Sequence, residues 1–260
     1  MEKFLHIEYN GPILEITLDR PKANAINAEL SRKMGEVFAE FRDNDDLKVA
    51  ILTGAGSKFF CAGWDLNSVA EGEEYTGDFG EGGFGGFPEM HNLLKPVICA
   101  VNGYAIGAGF EMLLNADLIV ASEQAQFWLP EAQVGVAPDI GTFVLPKIMP
   151  RQKAMEILLT GKRLSAAELQ DLGIVNEVCA HGEVMETARA LARRVLLSAP
   201  LSVAAIKEVR HATQTLSFEE CYADLRAHKW PHFKKMLESS DATEGAIAFQ
   251  EGREPVWKGA

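Results

Sequence analysis

Val97-Ile-Cys-Ala-Val-Asn-Gly-Tyr-Ala-Ile-Gly-Ala-Gly-Phe-Glu111 decides the fold. Five apolar residues without polar alternation read as a strand buried on both faces, stopped by Asn102-Gly103. A run of small residues follows, and from about Gly107 a helix begins. A buried strand running into a helix belongs to an α/β chain with parallel strands. Outward from this stretch the same alternation recurs. Residues 49–53 (Val-Ala-Ile-Leu-Thr) form a buried strand closed by Gly54 and Gly56, and Leu118-Ile-Val120 is a third. Upstream, Phe4, Leu5, Ile7 and Tyr9, then Ile13, Leu14, Ile16 and Leu18, flank an Asn10-Gly11 turn and predict a hairpin. Leu30, Met34, Val37, Phe38 and Phe41 recur at helical spacing, which predicts an amphipathic helix over residues 27–42.

Beyond residue 150 the pattern changes. Residues 151–160, 183–197, 201–214 and 217–238 carry helical spacing, and only residues 174–179 resemble a strand. With Ser198-Ala-Pro200 as a natural break, the expectation is an α/β core over 1–197 and a helical region over 198–260. Residues 71–87 (EGEEYTGDFGEGGFGGF) carry neither period, which predicts a mobile loop. A glycine-rich loop of this length inside a domain suits a lid, with Phe79, Phe84 and Phe87 available to close over apolar substrate.

Composition narrows the function classes. With 37 acidic against 25 basic residues the formal net charge is −12, which argues against a nucleic-acid partner. Cys61, Cys99, Cys179 and Cys221 form no CxxC pair, so reduced thiols in the cytoplasm are expected. The first ten residues lack the basic and apolar regions of a signal peptide, and no apolar run reaches the ~20 residues of a membrane span. The histidines show no metal-ligand spacing, so no metal is expected.

Small residues at the start of a helix let a ligand approach unpaired backbone N–H groups, which favour negative charge. Gly103, Gly107 and Gly109 lack the G-x-G-x-x-G order, which disfavours a dinucleotide site. Glu111 lies in the first turn of that helix, where an acidic residue also suits the helix dipole. Glu131, in Phe127-Trp-Leu-Pro-Glu131, follows a proline and, on its own, reads equally as a loop charge.

Five stretches in one order raise both glutamates above that background: Arg20-Pro-Lys-Ala-Asn-Ala-Ile26, Cys61-Ala-Gly-Trp-Asp-Leu66, Lys95-Pro-Val-Ile-Cys-Ala-Val-Asn-Gly-Tyr-Ala105, Gly107-Ala-Gly-Phe-Glu111 and Leu129-Pro-Glu131. The chain resembles the enoyl-CoA hydratase/isomerase (crotonase) family nearly end to end. The resemblance implies a spiral of ββα units with a helical C-terminal region, assembled as a homotrimer or homohexamer. It implies an acyl-CoA thioester substrate, with coenzyme A as part of the substrate and no separate cofactor. By position, the backbone N–H groups of Trp64 and Ala108 fall on the family's oxyanion hole, Glu111 and Glu131 on its acid/base pair, and Lys22 and Ala62 on its CoA site. Possession of both glutamates favours hydration and dehydration over Δ3-Δ2 isomerisation or a non-catalytic scaffold. Residues 13–26, the tryptophan of Ala62-Gly-Trp, the Gly-Phe loop ending at Phe87 and the terminal Pro255-Val-Trp-Lys-Gly259 narrow the resemblance to a member acting on a trimethylammonium-bearing acyl group. Such a head would want an aromatic or acidic wall, for which Trp64, Phe84, Tyr104 and Trp128 are the candidates. Two departures stand out. Gly107-Ala-Gly109 replaces three glycines, and residues 138–146 replace Pro-x-x-Gly-Gly and a following Arg-Leu with a stretch read as a shortened loop.

Overall fold

The apolar runs become the interior of a layered spiral in the computed structural model, which describes residues 4–75 and 77–260. β1 (Leu5–Asn10) and β2 (Ile13–Leu18) form the hairpin, in register from Leu5↔Leu18 to Asn10↔Ile13. Its turn falls on Gly11 and Pro12, with Gly11 at φ +59°. Then α1 (Ala28–Asp43) runs from an Asn27 cap, whose side chain accepts the Leu30 N–H at 3.0 Å.

A repeating unit follows. β3 (Val49–Gly54) is succeeded by β4 (Phe59–Cys61) and α2 (Leu66–Ala70). β5 (Val97–Val101) leads to β6 (Tyr104–Ile106) and α3 (Ala108–Leu113). β7 (Leu118–Ser122) leads to β8 (Gln126–Trp128), and then α4 (Asp139–Ile148) and α5 (Arg151–Thr160). The last turn is β9 (Leu164–Ser165), α6 (Ala166–Asp171) and β10 (Glu177–Cys179). One strand of each unit joins a sheet ordered β1-β2-β3-β5-β7-β10, and the other joins a second sheet ordered β4-β6-β8-β9. Each turn of chain therefore advances both sheets by one strand, which is a spiral of ββα turns. Every residue of β3 and β5 is buried, because parallel neighbours bring cover to both faces and remove the need for alternation.

The buried face of α1 is Leu30, Ser31, Met34, Gly35, Val37, Phe38 and Phe41. The second half of loop 71–87 packs there. Phe87 is 4% exposed, with its ring 4.8 Å from that of Phe38. Gly85 donates its N–H to Ser31 Oγ at 3.2 Å. Gly86 (φ +83°) passes so close to α1 that a Cβ would meet Met34 Cβ at 2.4 Å. Phe84 packs on the core and edge-on to Phe79, centroids 5.4 Å apart. Of the phenylalanines expected to close over substrate, Phe87 is thus a core residue and Phe84 packs on the core, with half-buried Phe79 against it; Thr76 of the same loop lies outside the described residues. Residues 138–146, read as a loop, form most of α4.

The chain divides into two compact units, Met1–Ala192 and Arg193–Ala260. The division falls within α7 (Val184–Leu196), a few residues before the Ser198-Ala-Pro200 break. The second unit continues with α8 (Pro200–Ala212), α9 (Phe218–Arg226), α10 (Pro231–Glu238) and α11 (Asp241–Glu251). The single helix expected over 217–238 is two, interrupted by His228 at φ +50° and by Pro231 opening the next helix. Buried Asp241 accepts the N–H groups of Lys258 and Gly259, each at 2.8 Å, and Trp257 Nε1 donates to the Leu197 carbonyl at 2.9 Å, which fastens the terminal segment. No described helix is long and apolar enough to cross a membrane.

If Phe87 is a core residue, Phe87→Ala should lower stability by ~3–5 kcal/mol, read from the urea midpoint. An unchanged midpoint with reduced turnover would restore the lid reading.

Candidate active site

Two backbone turns meet, and glycines let them. The turn after β4 carries Gly63 at φ +82°; a Cβ there would lie 2.6 Å from the Ile106 carbonyl oxygen and 3.1 Å from the Ala108 nitrogen. Across the contact, a Cβ on Gly109 would lie 2.4 Å from the Cys61 carbonyl oxygen. A third segment clamps the first turn. Ile26 donates to the Gly63 carbonyl and accepts from the Asp65 N–H, both at 2.8 Å, and Ala62 donates to the Ala23 carbonyl at 3.0 Å. Arg20 pairs with Asp65 at 2.6 Å, both side chains largely buried. Buried Asn24 donates to the Ala55 and Phe59 carbonyls at 3.1 and 3.0 Å. The first two sequence blocks are therefore one structural unit. Lys22 is exposed on it, one residue from the Ala23–Ala62 contact.

Within this arrangement, no hydrogen bond among the described residues takes up the N–H of Trp64 or of Ala108. Trp64 bridges to Ile26 in a register that uses the groups on either side of it. Ala108 is the first residue of α3, where an N–H has no helical partner. The positive φ of the turn falls on Gly107 (53°), so an alanine in place of the second glycine of three is accommodated.

Glu111 and Glu131 converge on the same turn. Glu111, on α3, is 7% exposed, and its Oε1 accepts the Gly141 N–H at 2.8 Å. Ile140 contributes a second backbone donor. Both donors belong to the first turn of α4, where helix N–H groups are otherwise unpaired. The stretch that departs from the family pattern therefore holds a carboxylate. Glu131 opens a single 3₁₀ turn (Glu131–Gln133) after Pro130. A Cβ on Gly107 would lie 2.6 Å from Glu131 Oε1, so this carboxylate rests against the residue preceding Ala108. Its Oε2 is buried with no hydrogen-bond partner among the described residues.

Burial pushes the Glu111 carboxyl up to about 7, helped by the charges of Glu131 and Asp139 and opposed by the Gly141 and Ile140 donors. Burial also raises Glu131, with Asp139 adding to it. Two such carboxyls favour holding one proton between them near neutral pH. Cys61 is unsuited to nucleophilic work, since burial pushes its thiol up to about 12. Among the described residues no group of His, Cys, Asp or Glu is placed to hold a metal ion.

Three neighbours carried no sequence signal. Tyr75, from the first half of loop 71–87, donates its hydroxyl to Asp139 Oδ1 at 2.7 Å and to the Ala137 carbonyl at 2.5 Å. Its ring lies 5.5 Å from that of Trp64. Glu73 accepts Trp64 Nε1–H at 2.5 Å and the Ala28 N–H at 3.0 Å.

The fold and these turns are those of one family: the chain belongs to the enoyl-CoA hydratase/isomerase family, whose pattern matches residues 8–260. It is 54% identical, over 260 residues and the whole of both chains, to proteins named carnitinyl-CoA dehydratase in Escherichia coli (strain K12) and Salmonella typhimurium. Crystal structures of enoyl-CoA hydratases from Mycobacterium marinum and Mycobacterium tuberculosis H37Rv match it with a TM-score of 0.90 at 39% identity, covering all of each chain. The ββα spiral implied by the sequence is the fold shared with these relatives.

The raised Glu111 carboxyl makes stability depend on pH. Its ordinary value is 4.5 and its folded value about 7. The folded state therefore binds this proton more tightly, and the associated stability is full below 4.5 and lost as pH rises through 7. Glu111→Gln removes that loss. The variant should gain on the wild type by up to ~3 kcal/mol between pH 5 and 9 in urea titrations. Parallel stability curves would place an ordinary carboxyl at this position.

Proposed function

We propose that this enzyme is an acyl-CoA hydro-lyase that interconverts carnitinyl-CoA and crotonobetainyl-CoA with gain or loss of water. The observation that carries the reaction class is the convergence of two buried carboxyls on a turn flanked by two uncommitted backbone N–H groups. Identity to the carnitinyl-CoA dehydratases over the whole chain supports the substrate.

In the dehydration direction, Glu131 takes the α-proton on its unpartnered Oε2. The C–H electron pair moves into the thioester, and its oxygen gains charge that the Trp64 and Ala108 N–H groups stabilise. Loss of one such donor costs ~3 kcal/mol of transition-state stabilisation. The enolate then expels the β-hydroxyl, to which Glu111 gives its proton, leaving enoyl thioester and water. A Glu111 carboxyl that titrates near 7 is largely protonated in mildly acidic solution and about half protonated at neutral pH, so a general acid is at hand in both. Hydration reverses each step from the same count of one proton on the pair, so both directions share one bell-shaped pH dependence. Lys22 and the Ala62 turn are assigned to the CoA portion, and coenzyme A enters only as part of the substrate. Assembly as a trimer or hexamer through the helical C-terminal region, in the cytoplasm, belongs to the same reading. Phe218, Phe249, Leu197 and Ile206 of that region are each more than two-thirds exposed, which supports a covered surface there.

Glu111→Gln and Glu131→Gln should each lower kcat by ~10²–10⁴ while the protein stays folded. Ala108→Pro removes one donor at the first position of a helix, where proline is tolerated, so the variant should fold yet lose α-proton exchange in deuterated water. Ala108→Gly should retain it. Near-normal turnover in either glutamine variant, or exchange by a folded proline variant, would remove that residue from the mechanism.

A further inference from the structure

A trimethylammonium group has no N–H to donate, so π faces and carboxylates are the groups best suited to stabilise it directly. In carnitinyl-CoA its nitrogen is two bonds from the β-carbon, on the order of 2.5 Å away by ordinary bond lengths. The group that binds it must therefore adjoin Glu111, which serves the β-hydroxyl. Most of the aromatic candidates are committed elsewhere. The Arg163 guanidinium already covers the Trp128 ring at 4.4 Å. Tyr104 sits edge-on to both Phe59 and Trp128. Phe84 is packed into the core against Phe79.

Trp64 remains, and the structure sets Tyr75 beside it. Their rings are 5.5 Å apart and inclined at 59°, so they present two differently directed faces. Each ring is fixed at its polar end: Trp64 Nε1 on Glu73, and the Tyr75 hydroxyl on Asp139 and the Ala137 carbonyl. Tyr75 is 40% exposed, so its ring is open to a ligand. Asp139 Oδ2 takes no hydrogen bond among the described residues, and Asp139 opens the same helix turn that holds Glu111. The negative charges of Glu111 and Glu131 both reach the Tyr75 hydroxyl, which agrees with a single site.

We propose that the rings of Trp64 and Tyr75, together with the Asp139 carboxylate, form the subsite for the cationic head of the substrate, an assignment that rests on the hydro-lyase reading above. Aromatic faces supply attraction without a hydrogen bond, and Asp139, exposed at the mouth of the site, supplies the counter-charge. The Glu73–Tyr75 segment is then a specificity arm anchored at both ends of its polar contacts.

The test compares hydration of crotonobetainyl-CoA with that of its uncharged isostere, in which a tert-butyl group replaces trimethylammonium. Size is held constant, and effects of Asp139 on the glutamates are common to both substrates and cancel in the ratio. The wild type should show a higher kcat/KM for the cation. Tyr75→Leu and Asp139→Asn should each reduce that preference by about tenfold. A wild-type enzyme with no preference for the cation overturns the substrate reading itself. A preference that survives both substitutions overturns the subsite alone, leaving the substrate reading intact.

Discussion

Everything at the site depends on the close approach of two backbone turns, Cys61–Asp65 against Ile106–Gly109. A single added Cβ at Gly63 or Gly109 would drive an atom to within 2.6 or 2.4 Å of a carbonyl oxygen on the opposing turn. Glycine at both places is a steric requirement rather than a preference. The approach brings two segments from successive turns of the spiral together, each leaving one N–H uncommitted. The Arg20–Asp65 ion pair and the Asn24 hydrogen bonds hold the first turn in place from behind. In the proposed mechanism these donors are backbone groups already held in place, so they need no reorganisation when charge develops in front of them.

The second consequence is electrostatic. Gly107 leaves room for the Glu131 carboxylate, and α3 carries Glu111 into the interior. Burial of two carboxyls near Asp139 destabilises their charged forms; the N–H groups of the first turn of α4 offset this at Glu111, and Glu131's own backbone N–H offsets it at Glu131. The imbalance costs folding free energy at high pH. The same imbalance leaves a substantial fraction of the Glu111 carboxyl protonated near neutrality, where an ordinary glutamate is fully ionised. Stability and reactivity therefore oppose each other at Glu111, as expected where a functional group is held in an unfavourable environment.

How much of this was legible in the sequence varied with the range of the interaction. Strands such as Val97–Val101 announce themselves because burial on both faces removes polar residues locally. Glu111 and Glu131 were readable only through the company of their flanking blocks, since an isolated glutamate at a helix start or after a proline has ordinary explanations. Loop 71–87 misled because its composition resembles a flap, whereas Gly80 and Gly86 serve close packing against α1 and Gly85 close packing against Met112. Residues 138–146 misled for a related reason: Pro146 within the segment argues against a helix, yet α4 runs through it. Tyr75 and Asp139 gave no signal, because their pairing spans 64 residues and no local periodicity records it.

The most direct measurement of the central claim is the carbonyl stretching frequency of a bound thioester labelled with ¹³C at the carbonyl carbon. Two backbone donors converging on that oxygen polarise the bond, and the band should move to lower frequency when crotonobetainyl-CoA binds to the Glu111→Gln variant, in which turnover is slowed enough for the bound thioester to be observed. The shift should be largely lost when Ala108→Pro is added. An unshifted band in the first variant, or an equal shift in both, would contradict the role of the Trp64 and Ala108 N–H groups and with it the purpose of the paired turns.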